Sequence, residues 1–600
     1  MRSLFTSVVL SCLVCLGTGC GVGSAPSEDA SGGIDRATAS NSSEAAPQEL
    51  ADRNLRYREK HRSVDLSGDD AADDGASEGD YDGDDAGSDD AAPAAAETPD
   101  VAEHRTPPAP AVNQPRPDDG VGPGSAGDRF EHIVENRFLR VTDSPLSTFS
   151  IDVDTASYSK SRMYLMQYNR LPPPDAVRIE ELINYFSYDY ASPKDDHPFA
   201  AHVEVAECPW QPQHRLVRVG IKGKEVNQDQ RQASNLVFLI DRSGSMRPEN
   251  KLPLVKHGMQ MLVEQLDERD VVTIVAYASG VATILPATPG SDWEVISDAI
   301  DQLQAGGATA GGAGLEVAYH AAQQNFIPGG INRVVLCTDG DFNIGRTSPG
   351  ELVRQVEAEA KKNIFMSVLA FGMGNHNDYM LEQISNKGNG NYAFVDTQQE
   401  ARKVLVDQMS GTLVTIAKDV KIQIEFNPSA VEGYRLIGYE NRKLADEDFN
   451  DDKKDAGEIG AGHRVTALYE IVPVGSGSGS ADLPGVDPLK YQREVKLSEA
   501  AQSGELLTLK LRYKQPEGDK STLMTIVVED QAKRFGEATQ DFKFTSAVAS
   551  FAMLLRNSQF KGNATYDAVL EIATAAKGSD EYGYRTEFLS LIKRARDLRR

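Results

Sequence analysis

The apolar run Leu236-Val-Phe-Leu-Ile240 leads straight into Asp241-Arg-Ser243-Gly-Ser245, and this junction constrains the chain more than any other segment. A short run of branched and aromatic residues suits a strand buried on both faces. One carboxylate and two hydroxyls at alternate positions of the following turn can all point into one pocket. Hard oxygen donors of this kind suit Mg²⁺ or Mn²⁺ far better than Zn²⁺. Downstream, Val334-Val-Leu-Cys337 leads into Thr338-Asp339-Gly340, and Thr309 lies in a loop of glycine and alanine, Ala305-Gly-Gly-Ala-Thr309-Ala-Gly-Gly. Turns and helix caps also use Asp-x-Ser-x-Ser, so the cation reading rests on all three segments. They are expected at the C-terminal ends of strands, where an open, mostly parallel α/β sheet binds its ligands.

Strands and helices alternate through this region. Strand-like runs at Val271–Ala276, Val281–Leu285, Val334–Cys337, Ile364–Ala370 and Tyr392–Val395 are separated by helical periodicity around Leu254–Leu266, Trp293–Leu303, Gly314–Gln324 and Leu352–Lys361. The pattern predicts a doubly wound, Rossmann-like α/β fold with right-handed crossovers. Over roughly Ser234–Ala417 the chain resembles a von Willebrand factor type A (vWA) domain, and Asp241, Ser243, Ser245, Thr309 and Asp339 resemble its metal-ion-dependent adhesion site. The resemblance implies that Ser243, Ser245 and Thr309 offer hydroxyl oxygens to Mg²⁺ or Mn²⁺. It implies that Asp241 and Asp339 ligate directly or through water. An incompletely filled shell would then take an Asp or Glu carboxylate from a protein partner.

The chain has 600 residues, too many for one core. Residues 1–20 read as an export signal: Arg2, an apolar stretch from Leu4 to Leu16, then small residues before Cys20. That stretch is shorter than the ~20 residues a membrane span needs. Leu16-Gly-Thr-Gly-Cys20 resembles a bacterial lipobox, its leucine one place further from the cysteine than usual, which makes Cys20 the expected lipid attachment site. Gly21, rather than Asp, follows it, which favours the outer membrane in a diderm bacterium. Residues 21–127 are dominated by Ala, Ser, Pro, Gly and acids, and Asp65–Asp90 carries twelve carboxylates without one Lys or Arg. Such a segment cannot bury enough apolar surface to offset its ordering entropy and is expected to be a disordered, self-repelling tether. Asp80-Tyr-Asp82-Gly-Asp84 departs from an EF-hand loop, with Asp85 at the glycine position and Ala91 at the closing Glu. The Asp65–Asp90 run supplies twelve of the net −28, and the remaining net negative charge argues against nucleic acid as partner. Cys337 sits in an apolar run and Cys208 has no C-x-x-C companion, so both read as core.

Residues 128–198 read as a helical region, with Asp175 placed to cap a helix over Ala176–Phe186. Val203–Ala206 and Leu216–Ile221, within 199–232, read as strands. So do Val420–Phe426, Val465–Ile471, Leu506–Tyr513 and Leu523–Val528, within 418–532. Neither set makes a good sheet alone; joined, they predict a β-sandwich into which the vWA domain, residues 233–417, is inserted. Residues 541–600 return to helical spacing, with Phe544, Val548, Phe551 and Leu555 on one face. The segments Phe149-Ser-Ile-Asp152-Val-Asp154-Thr-Ala-Ser-Tyr158, Leu171–Phe186, Asp541–Phe551 and Tyr582-Gly-Tyr-Arg585 resemble YfbK-type bacterial vWA lipoproteins. That resemblance covers most of the chain after Phe130.

These expectations describe a lipid-anchored cell-envelope protein with a Mg²⁺-dependent binding module. One alternative is an envelope scaffold whose metal is purely structural. A Mg²⁺-dependent hydrolase is a third, weakened because no His lies beside Asp241, Thr309 or Asp339 in sequence and no phosphate loop occurs. Gly372-Met-Gly374-Asn-His376-Asn lacks the third glycine of a dinucleotide fingerprint. The anchor is checked by Cys20→Ser: the variant should leave the membrane fraction after a high-salt wash, and its persistence there would refute lipidation.

Overall fold

The computed structural model describes residues 130–226, 231–308, 311–340, 349–372, 378–408, 414–454, 456–477, 497–516 and 518–599. The expected signal with Cys20, the acidic tether and Thr309 lie outside the described residues. The described residues begin with two short strands, β1 (Leu139–Arg140) and β2 (Leu146–Ser150), followed by helices α1 (Ala156–Met166) and α2 (Ile179–Asn184). Residues 128–198 are therefore not purely helical. β2 pairs antiparallel with a strand some 270 residues later and puts Phe149 against Tyr439, ring centroids 5.0 Å apart. A distant partner of this kind overrides local pattern. Asp175 does not cap a helix over 176–186, because the backbone is extended at Val177 (φ −106°, ψ 97°) and α2 starts only at Ile179. Its carboxylate instead accepts a hydrogen bond from the backbone N–H of Ile133 at 3.0 Å.

Two long strands follow, β3 (Phe199–Glu207) and β4 (Arg215–Gly223). The α/β unit then runs β5 (Ser234–Asp241), α3 (Leu252–Val263), β6 (Val271–Tyr277), β7 (Val281–Pro289), α4 (Trp293–Asp301), α5 (Gly311–Gln324) and β8 (Ile331–Thr338). It continues through α6 (Pro349–Ala360), β9 (Phe365–Phe371), α7 (Asp378–Lys387), β10 (Tyr392–Val395) and α8 (Gln398–Arg402), which ends in a π-helical turn, Lys403–Asp407. The sheet order is β10-β9-β8-β5-β6-β7, parallel except for β7. All eight residues of β5 are buried, and its alternation sorts them between two helical layers. Leu236, Phe238 and Ile240 join Leu254, Val255 and Leu262 of α3, whereas Val237 and Leu239 join Leu315 of α5, Leu352 of α6 and Leu381 of α7. Each such side chain contributes about 1.5–3 kcal/mol relative to exposure.

The remaining strands are β11 (Thr415–Phe426), β12 (Val431–Ile437), β13 (Ile459–Gly460), β14 (Arg464–Pro473), β15 (Glu505–Lys514) and β16 (Ser521–Glu529). They form two antiparallel sheets. One has the order β1-β12-β14-β4-β3; the other has β13-β11-β15-β16, with β2 also on β11. Residues of both sheets interdigitate in one core: Val217, Val219 and Tyr469 from the first, Ile422, Ile424 and Leu509 from the second. The strands before and after the α/β unit thus share one sandwich, since β4 pairs with β14 from Arg215↔Ile471 to Lys222↔Arg464.

Three helices close the chain: α9 (Gln540–Arg556), α10 (Tyr566–Ala575) and α11 (Tyr584–Arg599). Phe544, Val548, Phe551 and Leu555 of α9 pack with Val569 of α10 and with Phe588, Leu591 and Ile592 of α11. Thr539 caps α9 by accepting from the N–H of Phe542, and Asn557 ends it in the left-handed region (φ 54°). The joint between these parts is polar. On α1, Lys160 pairs with Asp378 of the α/β unit, and Arg162 bonds Asp396, Glu400 and Glu587 of α11. Asp152 and Asp154 both bind Arg442, at 3.2 and 2.9 Å, and Asp154 also accepts from the N–H of Tyr392. Cys208 and Cys337 are buried and free, and burial pushes the Cys337 thiol up to about 12.

A chain reduced to Asn235–Arg600 loses β1–β4 and leaves one edge of β14 unpaired. It should aggregate, as exposed strand edges do. A monomeric Asn235–Arg600 that unfolded in one cooperative transition would show that the sandwich does not need its first strands.

Candidate functional site

β5 delivers Asp241 to the C-terminal edge of the parallel sheet, fully buried. The chain then turns sharply: the N–H of Ser243 donates to Asp241 Oδ1 at 2.8 Å, an Asx turn that fixes the carboxylate. The hydroxyl of Tyr277, at the end of neighbouring β6, donates to Asp241 Oδ2 at 3.2 Å. Ser243 is buried, Ser245 is exposed, and their hydroxyls share a hydrogen bond at 3.0 Å. Two hydroxyls from alternate positions do converge.

The loop after α4 is stitched onto this turn. Gly306 N–H donates to the Arg242 carbonyl at 2.7 Å, and Gly244 N–H donates to the Gly307 carbonyl at 2.9 Å. Gly307 has φ +92°, and a Cβ there would lie 2.7 Å from Ser279 Oγ. Ser279 Oγ accepts from the N–H of Ala308 at 2.9 Å. The residue after Ala308 is Thr309, which lies outside the described residues. β8, hydrogen-bonded to β5, delivers Asp339, which is 4% exposed. Four of the five expected positions are therefore placed, on one edge.

The electrostatics are those of two carboxylates held together out of water. Burial pushes Asp241 up to about 6, with the Asp339 charge adding to it, against hydrogen bonds from Ser243 and Tyr277. Asp339 Oδ2 accepts from Lys251 Nζ at 2.8 Å, while its Oδ1 is buried with no hydrogen-bond partner. A buried, unpartnered carboxylate oxygen is costly. It fits a site that takes up a cation. Among the described residues no three His, Cys, Asp or Glu converge as a metal cage, so the donor set here needs its hydroxyls. Alternating hydroxyl and carboxylate oxygens fit a hard divalent ion.

Lys251, Tyr277 and Gly372 are participants the sequence pattern does not single out. Lys251 precedes α3, and its aliphatic stem runs beneath Gly372 (φ +64°), where a Cβ would lie 2.3 Å from Lys251 Cε. Only glycine tolerates both that backbone and that contact. Gly372→Ala should cost about 1–3 kcal/mol in unfolding free energy and displace Lys251 from Asp339. An unchanged melting curve would refute this packing.

Comparison with known proteins follows the same division of the chain. Residues 235–408 match the von Willebrand factor type A domain model, and residues 411–598 match the model described as uncharacterized protein YfbK, C-terminal. Residues 125–218 match a model described as von Willebrand factor. Protein YfbK of Escherichia coli (strain K12) is 42% identical over 483 residues, which cover 79% of this chain and 82% of that protein. Inter-alpha-trypsin inhibitor heavy chain H3 of Bos taurus is 23% identical over 257 residues, 40% of this chain and 28% of that protein. Among solved structures, von Willebrand factor type A from Catenulispora acidiphila is 16% identical with a TM-score of 0.35. It covers 63% of this chain and 87% of that one.

Proposed function

The chain belongs to the YfbK family of vWA domain proteins, and from that premise we propose that it is a cell-envelope lipoprotein whose vWA domain captures an acidic side chain of a protein partner through Mg²⁺ or Mn²⁺. The observation that carries this reading is the unpartnered, buried Oδ1 of Asp339 beside buried Asp241 and the paired hydroxyls of Ser243 and Ser245. Asp241, Ser243, Ser245, Thr309 and Asp339 would hold the ion. When bound, the ion supplies an electrophilic point for a carboxylate oxygen. Two aspartates balance a dication, and the Lys251 ammonium beside Asp339 adds one further positive charge. A loaded site is therefore net positive and selects Asp or Glu over a neutral partner group. The role is binding, not catalysis. Cys20 would carry the lipid, and the acidic segment would let the folded part stand away from the membrane. Among the described residues no helix is long and apolar enough to cross a membrane.

A ligand that binds only the folded state raises its melting temperature. Mg²⁺ should raise that of the wild type, and Ser243→Ala or Thr309→Ala should shrink the rise while keeping the fold, since loop side chains are tolerant of truncation. Equal rises in wild type and both variants would refute the site. Lys251→Met removes a competing cation and should tighten Mg²⁺ binding about tenfold, roughly 1.4 kcal/mol; unchanged or weaker binding would show that Lys251 does not oppose the metal. Affinity capture from solubilised membranes should yield a partner with Mg²⁺ that is lost with chelator and with Asp241→Ala. The same proteins captured with and without chelator would mark the ion as structural.

A further inference from the structure

Seven arginines are buried among the described residues. Six of them, Arg162, Arg178, Arg218, Arg231, Arg435 and Arg556, hold a carboxylate within 4.0 Å. Arg333 is the exception. It lies near the start of β8, 3% exposed, and its one side-chain hydrogen bond donates to the neutral hydroxyl of Ser367 at 2.6 Å. Its Nε has no partner. Burial draws its guanidinium down to about 10, with only the more distant Glu458 acting the other way. Among the described residues every other buried guanidinium is paired, and this one has no carboxylate within 4.0 Å. Burying an unpaired charge is among the costliest arrangements a fold can hold.

Arg333 faces a cavity of about 160 Å³ between the base of the vWA domain and the sandwich. The vWA side contributes Asn386, Lys387 and Asn391, and the sandwich contributes Thr415 and His463. Lys387 and Asn391 are exposed, so the cavity has a mouth. Its lining is rich in groups that can donate. Lys387 offers an ammonium, and neutral His463 offers one ring N–H in either tautomer. Asn386 also lines the cavity, and its Oδ1 is buried without a partner; flipping the amide puts an NH₂ donor at that position. The two carboxylates of the lining are engaged elsewhere. Asp152 pairs with Arg442 at 3.2 Å, and Glu458 accepts from Thr415 Oγ1 at 3.2 Å and from Asn389 Nδ2 at 3.5 Å.

We propose that this cavity is a binding site for a compact oxyanion group, phosphate or carboxylate, whose charge completes Arg333. A planar guanidinium suits bidentate recognition of either group. The site is separate from the metal edge. Arg333 in β8 and Asp339 just past its end are six residues apart, about 20 Å at strand rise. Arg333, Asn391 and His463 also border a larger cavity of about 1350 Å³, so the anionic group can be the head of a larger molecule. Bound there, the anion bridges β8 of the vWA domain and the sandwich, and ligation ties the two together.

The test uses the full chain in EDTA, so that the metal edge does not contribute. Melting is followed in chloride, inorganic phosphate or acetate at matched ionic strength. At least one oxyanion should raise the wild-type midpoint by about 1–3 °C beyond chloride, with saturation. A rise with phosphate alone would assign the site to phosphoryl groups, and one with acetate alone to carboxylates. Arg333→Met should lose the rise and melt no lower than wild type in chloride, because it removes an unpaired charge rather than an ion pair. Lys387→Gln, a substitution at an exposed position, should raise the half-saturating concentration at least threefold. No anion-specific rise in the wild type, the same rise in Arg333→Met, or an unchanged half-saturation in Lys387→Gln would each overturn the proposal.

Discussion

One guanidinium fixes the geometry on which the other parts depend. Arg162 of α1 is 4% exposed and reaches Asp396 and Glu400 of the vWA domain, Tyr185 after α2, and Glu587 of α11. These groups are separated by up to 425 residues in sequence. Removing one member of a buried pair typically costs about 3–5 kcal/mol, because the other charge is stranded. The surrounding groups lie near the limit at which burial still permits charge. Burial pushes Asp396 up to about 6 despite Arg162, and it draws Lys403 down to about 7 despite Glu400. Glu400 is the counterexample, since Lys403 and Arg162 together outweigh its burial and hold it below the usual range. An apolar joint of this size would slide more freely; this one is fixed in the register in which Arg162 meets its carboxylates.

The same principle, applied with one partner missing, distinguishes two of the places where buried polar groups of the described residues lack a partner. At the C-terminal edge of the sheet, beside β5 and β8, the surplus is negative: Asp241 and Asp339 share a buried corner, and Lys251 neutralises only one oxygen of Asp339. At the base of β8 the surplus is positive, carried by Arg333. Opposite surpluses at opposite ends of one strand point to ligands of opposite sign. Cation and anion would each satisfy what the protein leaves open.

What the sequence discloses follows from how local each constraint is. The strands of the vWA domain are covered by helices on both faces, so Leu236–Ile240 and Val334–Cys337 stand out as unbroken apolar runs. Asp241, Ser243, Ser245 and Asp339 are legible because they directly follow such runs. β2 is not legible in the same way: Leu146-Ser-Thr-Phe-Ser150 is short and polar, and it becomes a strand through its pairing with β11. β12 is masked by Arg435, whose charge would suit a surface position but which is buried on Glu470 at 2.8 Å. The Asp152-Val-Asp154 segment is conspicuous in sequence, yet its role depends on Arg442, about 290 residues away. Lys251 and Arg333 carry no local signature at all, because a lysine or arginine is ordinary until its surroundings are known.

The topology explains why the two ends of the vWA domain are free to do different things. The domain enters after β4 and leaves before β11, and the described residues at its two ends lie at the base of the parallel sheet: the Ala233 carbonyl accepts from the N–H of Ile331, and Thr415 lines a cavity with Arg333. The base is therefore committed to the sandwich: Arg333, Asn391 and the end of α7 at Asn386 and Lys387 face Thr415, Gly457 and His463 across the small cavity. On the C-terminal edge, Arg162 holds Asp396 just after β10, but the turn after β5 has no such obligation: Asp241, Ser243 and Ser245 are held on hydrogen bonds made within the domain itself. The turn after β5 can therefore change without disturbing the host, because no host residue is among the hydrogen-bond partners described for Asp241, Ser243 and Ser245. The reverse does not hold. A change at the base alters contacts on both sides of the joint, and this is where occupancy of a cavity would be felt by the sandwich and the vWA domain together.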